Sequence, residues 1–250
     1  MKVFRVIFVW CLVAVLWCIC IIKGCAQSVP LIKVKHDSFV SYYDQQLKNP
    51  ALVCYMLEYK HFSGSYKVSG RHFKADTKLP RPRVLDKDYT GSGYVRGHLC
   101  SAGDRDSDRA WLKETYLTSN LVPMTMYCNS GPWKAIEDSC RYLAIVGHKL
   151  LVARGPLYYN QRGPDASVIQ AKWPIRVPDG FFCFAKCLDC GLVVYLVCEN
   201  SGTNLLQHVL RDRSGGFCIT EPFRNDDRIS VLLQNILGTW SREVYETITH

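Results

Sequence analysis

The chain has 250 residues, 48% of them hydrophobic and 21% charged, with 31 Lys and Arg against 22 Asp and Glu. This is the composition of a folded globular protein and excludes a low-complexity chain; the length accommodates one large domain or two small ones. The formal charge of +9 favours encounter with a polyanion but identifies none, because many basic proteins bind no nucleic acid.

The first 26 residues read as a targeting segment. Lys2 and Arg5 precede 17 uninterrupted apolar residues, Val6 to Ile22, and Gly24-Cys25-Ala26 offers small residues for cleavage after Ala26. The apolar run is long for a signal peptide and just reaches the lower limit of a membrane span. Secretion or periplasmic export is therefore the expectation, with membrane anchoring through residues 6–22 as second choice and a lipoprotein at Cys25 as third. Nine cysteines follow the leader, which in an exported protein suggests disulfides with one thiol left over.

No repeat or long linker divides residues 27–250, which favours a single domain. Residues 39–43 and 51–57 have strand character, with Lys48-Asn49-Pro50 as the turn between them. Residues 59–92, rich in Gly, Ser, Pro and charge, form a surface excursion. A short strand is expected at 94–99, a helix at 106–116 capped by Asp106 or Ser107, and a strand at 116–122. Trp133, Ile136, Cys140 and Leu143 recur at helical spacing behind Pro132. Further strands are expected at 150–153, 168–177, 181–187 and 192–198, and an amphipathic helix at 226–237. Strands dominate and helices are interspersed, so the expected class is α+β with a mainly antiparallel central sheet and flanking helices.

The chemistry concentrates between Gly91 and Glu137. His98 is the candidate general base, since a neutral imidazole accepts a proton near neutral pH. A lone histidine is more often structural, and this one gains weight from its setting: Gly97 before it admits a bulky ligand, and arginines lie upstream. Asn129 and Glu137, placed on one helix, are about 80° and roughly 12 Å apart, so both fall on one broad face. A neutral carbonyl oxygen and a carboxylate suit Mg²⁺, which keeps several of its waters. Arg71 and Arg96 are candidate phosphate clamps, since guanidinium groups stabilise the charge that a phosphodiester gains on attack. Taken singly, a helix cap explains Asn129, a solvated charge Glu137 and surface placement the arginines. Gly91, Gly93 and Gly97 lack the spacing of a nucleotide-binding loop. Cys187-Leu-Asp-Cys190 is one CxxC where a zinc ribbon needs two, and no strand-to-helix step follows it, so a disulfide at a strand turn is the expectation.

These segments together resemble the DNA/RNA non-specific endonucleases of the ββα-metal type. Tyr94-Val-Arg96-Gly97-His98-Leu99 is similar to that family's Asp-Arg-Gly-His signature. Tyr116-Leu-Thr-Ser-Asn120-Leu-Val-Pro123 resembles its Tyr-Leu-Ser-Asn-x-x-Pro segment, and Asn129 to Glu137 its Asn-x-Gly-x-Trp-x-x-x-Glu helix. Arg71 to Asp76, Asn49 to Tyr55 and Leu151 to Tyr158 extend the likeness over most of residues 37–200. The resemblance implies a ββα-metal motif in which His98 deprotonates water and Asn129 binds one Mg²⁺ (or Mn²⁺) directly. It further implies that Glu137 orders metal-bound water, that Arg71 and Arg96 neutralise phosphate, and that Asn120 contacts substrate. DNA and RNA would be cut to leave 5′-phosphate ends, with little sequence preference; a homodimer is compatible but not indicated.

Two residues depart from the pattern. Val95 stands where the family usually has Asp, removing a partner that could support activity, and Met124 stands where Gln is common at a substrate-side contact. Two rival readings follow: a catalytically weakened nucleic-acid-binding protein on the same fold, and a disulfide-rich secreted interaction domain.

Overall fold

A computed structural model of the chain describes residues 30–64, 66–67, 73–158, 167–191, 193–201 and 205–208. The leader and the helix expected at 226–237 lie outside the described residues. Among the described residues no helix is long and apolar enough to cross a membrane.

The frame is a seven-stranded sheet. It contains β1 (Ile32–Lys35), β2 (Val40–Asp44), β3 (Asn49–Leu57), β6 (Leu150–Leu157), β9 (Gly180–Cys187), β10 (Val193–Glu199) and β11 (Leu205–His208), paired in that order. Every pairing is antiparallel. The nine residues of β3 are all buried, as expected of a strand covered on both faces. Alternation divides them. Val53, Tyr55 and Leu57 point into one apolar cluster, and Leu52, Cys54 and Met56 into the other.

A second, two-stranded ladder carries the candidate site: β4 (Val95–His98) runs antiparallel to β5 (Leu121–Met124). Three helices accompany it. α1 (Arg109–Glu114) is capped by Asp108, whose carboxylate accepts from the amides of Ala110 and Trp111 at 2.7 and 3.0 Å. α2 (Met126–Ser130) and α3 (Pro132–Ile145) follow β5. α3 lies on the Tyr55 face of the sheet through Trp133, Ile136, Cys140 and Ala144, a three- and four-residue spacing that forms one buried stripe. Sheet, ladder and helices thus give the expected α+β class.

Several expectations are revised. The turn before β3 is residues 45–48, with Lys48 at φ 60°, so Asn49 and Pro50 already belong to the strand. Residues 118–120 form a tight helical turn, and β5 begins only at Leu121. The strand expected across 168–177 is instead the pair β7 (Val168–Ile169) and β8 (Ile175–Arg176). Pro174, which lacks an N–H, precedes the second of them.

Among the described residues no disulfide is closed: all eight described cysteines are free, Cys187 and Cys190 with their sulfurs 2.8 Å apart, and Cys218 lies outside the described residues. Cys128 and Cys198 face each other at 3.9 Å between sulfurs, as do Cys140 and Cys183, far beyond the bonded distance of about 2.05 Å. Both pairs are buried in the apolar cluster beneath α3, where cysteine packs as a small hydrophobe.

Candidate active site

β4 and β5 hold the site through a buried lock. Asn120 is fully buried, and its side chain is consumed by backbone. Oδ1 accepts from the Cys100 amide at 2.7 Å, while Nδ2 donates to the carbonyls of Cys100 and Thr115 at 2.9 and 2.8 Å. The substrate contact expected of Asn120 is therefore replaced by a structural role: this amide ties the chain after His98 to the start of β5. Gly97 is needed for a similar reason. A Cβ there would lie 2.7–3.0 Å from the Met124 side chain, so methionine, not a ligand, occupies the space beside it. Met124 is itself buried and offers no surface to a substrate.

Side chains alternate along β4, which sends Arg96 and His98 to one side and Val95 and Gly97 to the other. Val95 packs against the main apolar cluster. An acidic residue at that position would face the core rather than the His98 ring, so Val95 takes no partner away from the imidazole.

The His98 ring sits between Phe73 and Tyr116, with centroids 5.7 and 5.1 Å away. Its Nε2 is buried without a hydrogen-bond partner. Burial pushes the imidazole down to about 4, so the ring is neutral at physiological pH and holds a free proton-accepting position. Arg96 lies on the same side, packed between the rings of Phe73 and Tyr89. Its Nε pairs with the Asp86 carboxylate and Nη2 donates to the Asp86 carbonyl at 2.6 Å. Asp86 thus fixes the guanidinium, and among the described residues Nη1 remains uncommitted.

The helix expected to span Asn129 to Glu137 is two helices. Gly131 takes φ −107° and ψ −106°, breaking the run before Pro132, whose ring disfavours a helical residue ahead of it. Asn129 therefore belongs to α2 and Glu137 to α3, and the single-helix geometry does not apply. The Asn129 amide nitrogen bonds to the Thr125 carbonyl at 3.0 Å, and its side chain has no hydrogen bond among the described residues.

Trp133 joins the two halves. Its indole N–H donates to the His98 carbonyl at 3.0 Å while its ring packs on Phe181. Glu137 lies one turn further along α3, where Oε2 accepts from the Ser101 hydroxyl at 3.2 Å. Ser101 is three residues past His98. The candidate base and the candidate metal-site carboxylate are thus held by two bonds from one helix to one short segment of chain.

Glu137 rests on a charge network that sequence reasoning did not find. Asp104, fully buried, accepts from Arg141 at 2.8 Å and from the Tyr55 hydroxyl at 2.7 Å. Arg154, also fully buried, lies 3.6 Å from Asp104 and donates to the Leu99 carbonyl at 3.2 Å. Burial pushes the Glu137 carboxyl up to about 7. The Arg154 and Arg141 guanidiniums pull against this, and Asp104 adds to it. The one signal for Arg154 in the sequence was an arginine inside an otherwise apolar strand. Nothing in the spacing pointed to Asp104, Arg141 or the Phe73 and Tyr116 rings. Arg71 lies outside the described residues.

A family model for the DNA/RNA non-specific endonucleases matches residues 21–206. The chain belongs to that family. Among curated members, it is 33% identical over 128 residues to the human protein named mitochondrial nuclease EXOG, covering 51% of this chain and 35% of that one. It is 26% identical over 151 residues to bovine mitochondrial endonuclease G, covering 58% and 50%. The chain therefore spans about a third to a half of the length of these relatives. A solved structure of an EndoG/EndoGI complex shares the fold, with a TM-score of 0.59 at 24% identity, covering 74% of this chain and 79% of that one.

The residues present fit the divalent ion that membership in this endonuclease family implies. The Asn129 side chain is free of hydrogen bonds among the described residues, and Glu137 is a buried carboxylate that its surroundings only partly neutralise. An oxygen-only donor set with room for water suits Mg²⁺ or Mn²⁺.

Proposed function

We propose that this chain is an exported endonuclease, dependent on Mg²⁺ or Mn²⁺, that hydrolyses phosphodiester bonds of DNA and RNA. The observation carrying the reading is the unpartnered Nε2 of His98, held by Trp133 beside the helix that bears Glu137.

His98 accepts the proton of the attacking water. The ring enters the reaction neutral, and the anionic phosphate, once bound beside it, raises its proton affinity toward the operating pH. Phe73 and Tyr116 restrict the imidazole to one orientation. Arg96, braced by Asp86, offers its remaining donors to the phosphate oxygens. Asn129 would hold the ion through its carbonyl oxygen and Glu137 through a water, and Ser101 and Arg141 orient the Glu137 carboxylate. Bound there, the metal supplies Lewis-acid stabilisation of the leaving 3′ oxygen, which leaves a 5′-phosphate end.

Contacts limited to the phosphodiester backbone carry little base information, so weak sequence preference and a strong salt dependence are expected. Export by the positive Lys2/Arg5 region and the apolar run from Val6 to Ile22 belongs to the same proposal, with anchoring as the alternative fate of the leader.

The test is digestion of plasmid and of RNA by the purified chain, with Mg²⁺ or with EDTA, beside His98→Ala. Metal-dependent cutting lost in the variant supports the proposal. Retarded but intact plasmid under every condition would refute it in favour of a binding protein. N-terminal sequencing of the exported form checks cleavage after Ala26.

A further inference from the structure

Beyond the far end of α3 the chain makes a second cluster of donors. Gly147, at φ +101°, turns the chain out of the helix, and His148 follows with its amide bonded to the Leu143 carbonyl at 3.1 Å. β6 then starts at Leu150, whose partner across the ladder is Cys187, the last residue of β9. Cys187 opens the turn Cys187-Leu-Asp-Cys190, closed by Gly191 at φ +69°. Antiparallel pairing thus sets a histidine from one turn beside a CxxC from another, 39 residues away in sequence.

His148 Nδ1 lies 3.5 Å from Cys187 Sγ, Cys190 Sγ lies 2.8 Å from Cys187 Sγ, and the three donor atoms all fall within 4.8 Å of one another. Among the described residues this is the only such group of three. Backbone bonds brace it. The Lys149 amide donates to the Asp189 carboxylate at 2.7 Å, and the Leu188 amide to the Lys149 carbonyl at 2.9 Å. The Cys190 amide donates to Cys187 Sγ at 3.2 Å.

We infer that His148, Cys187 and Cys190 bind a soft divalent cation, zinc foremost, at the end of α3 remote from the candidate active site. Two sulfurs and an imidazole select zinc over the hard ions suited to Asn129 and Glu137. Tetrahedral zinc with bonds of about 2.3 Å to sulfur and about 2.0 Å to nitrogen places a sulfur and a nitrogen roughly 3.5 Å apart and two sulfurs roughly 3.8 Å apart. The His148–Cys187 separation already meets the first figure. The second requires Cys190 Sγ to swing outward by about 1 Å, which its exposed side chain permits. The fourth position is left to a water. A metal there ties the turn after α3 to the β9–β10 hairpin, so its effect falls on stability rather than on the chemistry at His98.

The test begins with the reduced full chain titrated with Co²⁺. A thiolate-to-cobalt absorption band that saturates at one equivalent and is bleached by Zn²⁺ is expected. Cys190→Ser, at an exposed position that should not disturb folding, and His148→Gln each weaken binding at least tenfold, while Asn129→Ala binds as the wild type does. Zn²⁺ raises the melting temperature of the wild type but not of Cys190→Ser, and Mg²⁺-dependent cleavage by Cys190→Ser is unchanged. No cobalt band in the reduced wild type, or a band unaltered in both variants, would overturn the inference. So would a Cys187–Cys190 disulfide that persists after refolding with Zn²⁺ in thiol buffer.

Discussion

Toward its N-terminal end α3 carries Glu137, an oxygen donor backed by Ser101, Arg141, Asp104 and Arg154. Beyond its C-terminal end the chain presents His148 beside two sulfurs. The first group is partly buried over a dense charge network and its carboxyl is pushed up by burial. The second lies where two turns meet, with one sulfur exposed. One helix thus separates hard donors at a candidate reaction centre from soft donors at a fastening point. Donor softness keeps the two from competing for the same ion.

The comparison can be broken most sharply at His98. His98→Ala should lower the cleavage rate by about 10²–10⁴-fold, as loss of a general base does. Its melting temperature should fall only by what the lost packing on Phe73 and Tyr116 costs, since Nε2 has no bond to lose. A variant that keeps its rate would remove the reaction centre from this end of the helix.

Glu137→Gln should reduce activity by about 10- to 100-fold, as loss of an outer metal partner does. It should also stabilise the metal-free protein. The folded-state carboxyl is raised from 4.5 to about 7, so the ionised form disfavours the fold fully above pH 7 and scarcely at all near pH 4.5. The variant should therefore melt higher than wild type at pH 8 and alike near pH 4.5. A lower melting temperature at pH 8 would mean that the arginines make the ionised carboxylate a net asset.

The kcat/KM, which reports the free enzyme, should fall on acidification from about pH 7, where Glu137 takes up its proton, since His98 without phosphate, pushed down to about 4, is still neutral there. Because proton and cation compete for the same carboxylate, this limb should move to lower pH as Mg²⁺ is raised. A limb that ignores Mg²⁺ would assign it elsewhere.

Asn120→Ala should cost about 3 kcal/mol in stability, because three buried backbone groups lose their partners. KM for plasmid should not change. A raised KM in a stable Asn120→Ala protein would restore the substrate role. The smallest effect is expected from Cys190→Ser, a melting shift seen only when Zn²⁺ is present.

Local order was legible wherever one residue's neighbours decide its place. Short apolar runs marked β3, β6, β9 and β10, which are buried on both faces, and the three- and four-residue spacing of Trp133, Ile136 and Cys140 marked α3. The motif spacing singled out His98, Asn129 and Glu137, and with them the family. It also misled. Asn120 shares a motif with substrate-facing residues, but its amide is consumed by backbone, and Gly97 makes room for Met124. The nine cysteines after the leader suggested disulfides, but the sulfurs of Cys128 and Cys198 only touch.

By itself, then, the sequence determined the central strands β3, β6, β9 and β10, the helix α3, the ββα order and the residues whose chemistry marks a nuclease family, because each depends on nearest neighbours or on a short motif. Tertiary structure alone decided which polar groups stay unpaired. His98 keeps a free Nε2, Asn120 is spent on the backbone, Arg154 is sealed beneath Glu137, and His148 meets Cys187. Each outcome depends on partners brought in by strand pairing or helix packing from distant parts of the chain. A buried polar group takes whatever partner the fold delivers, and no local pattern records which one that is.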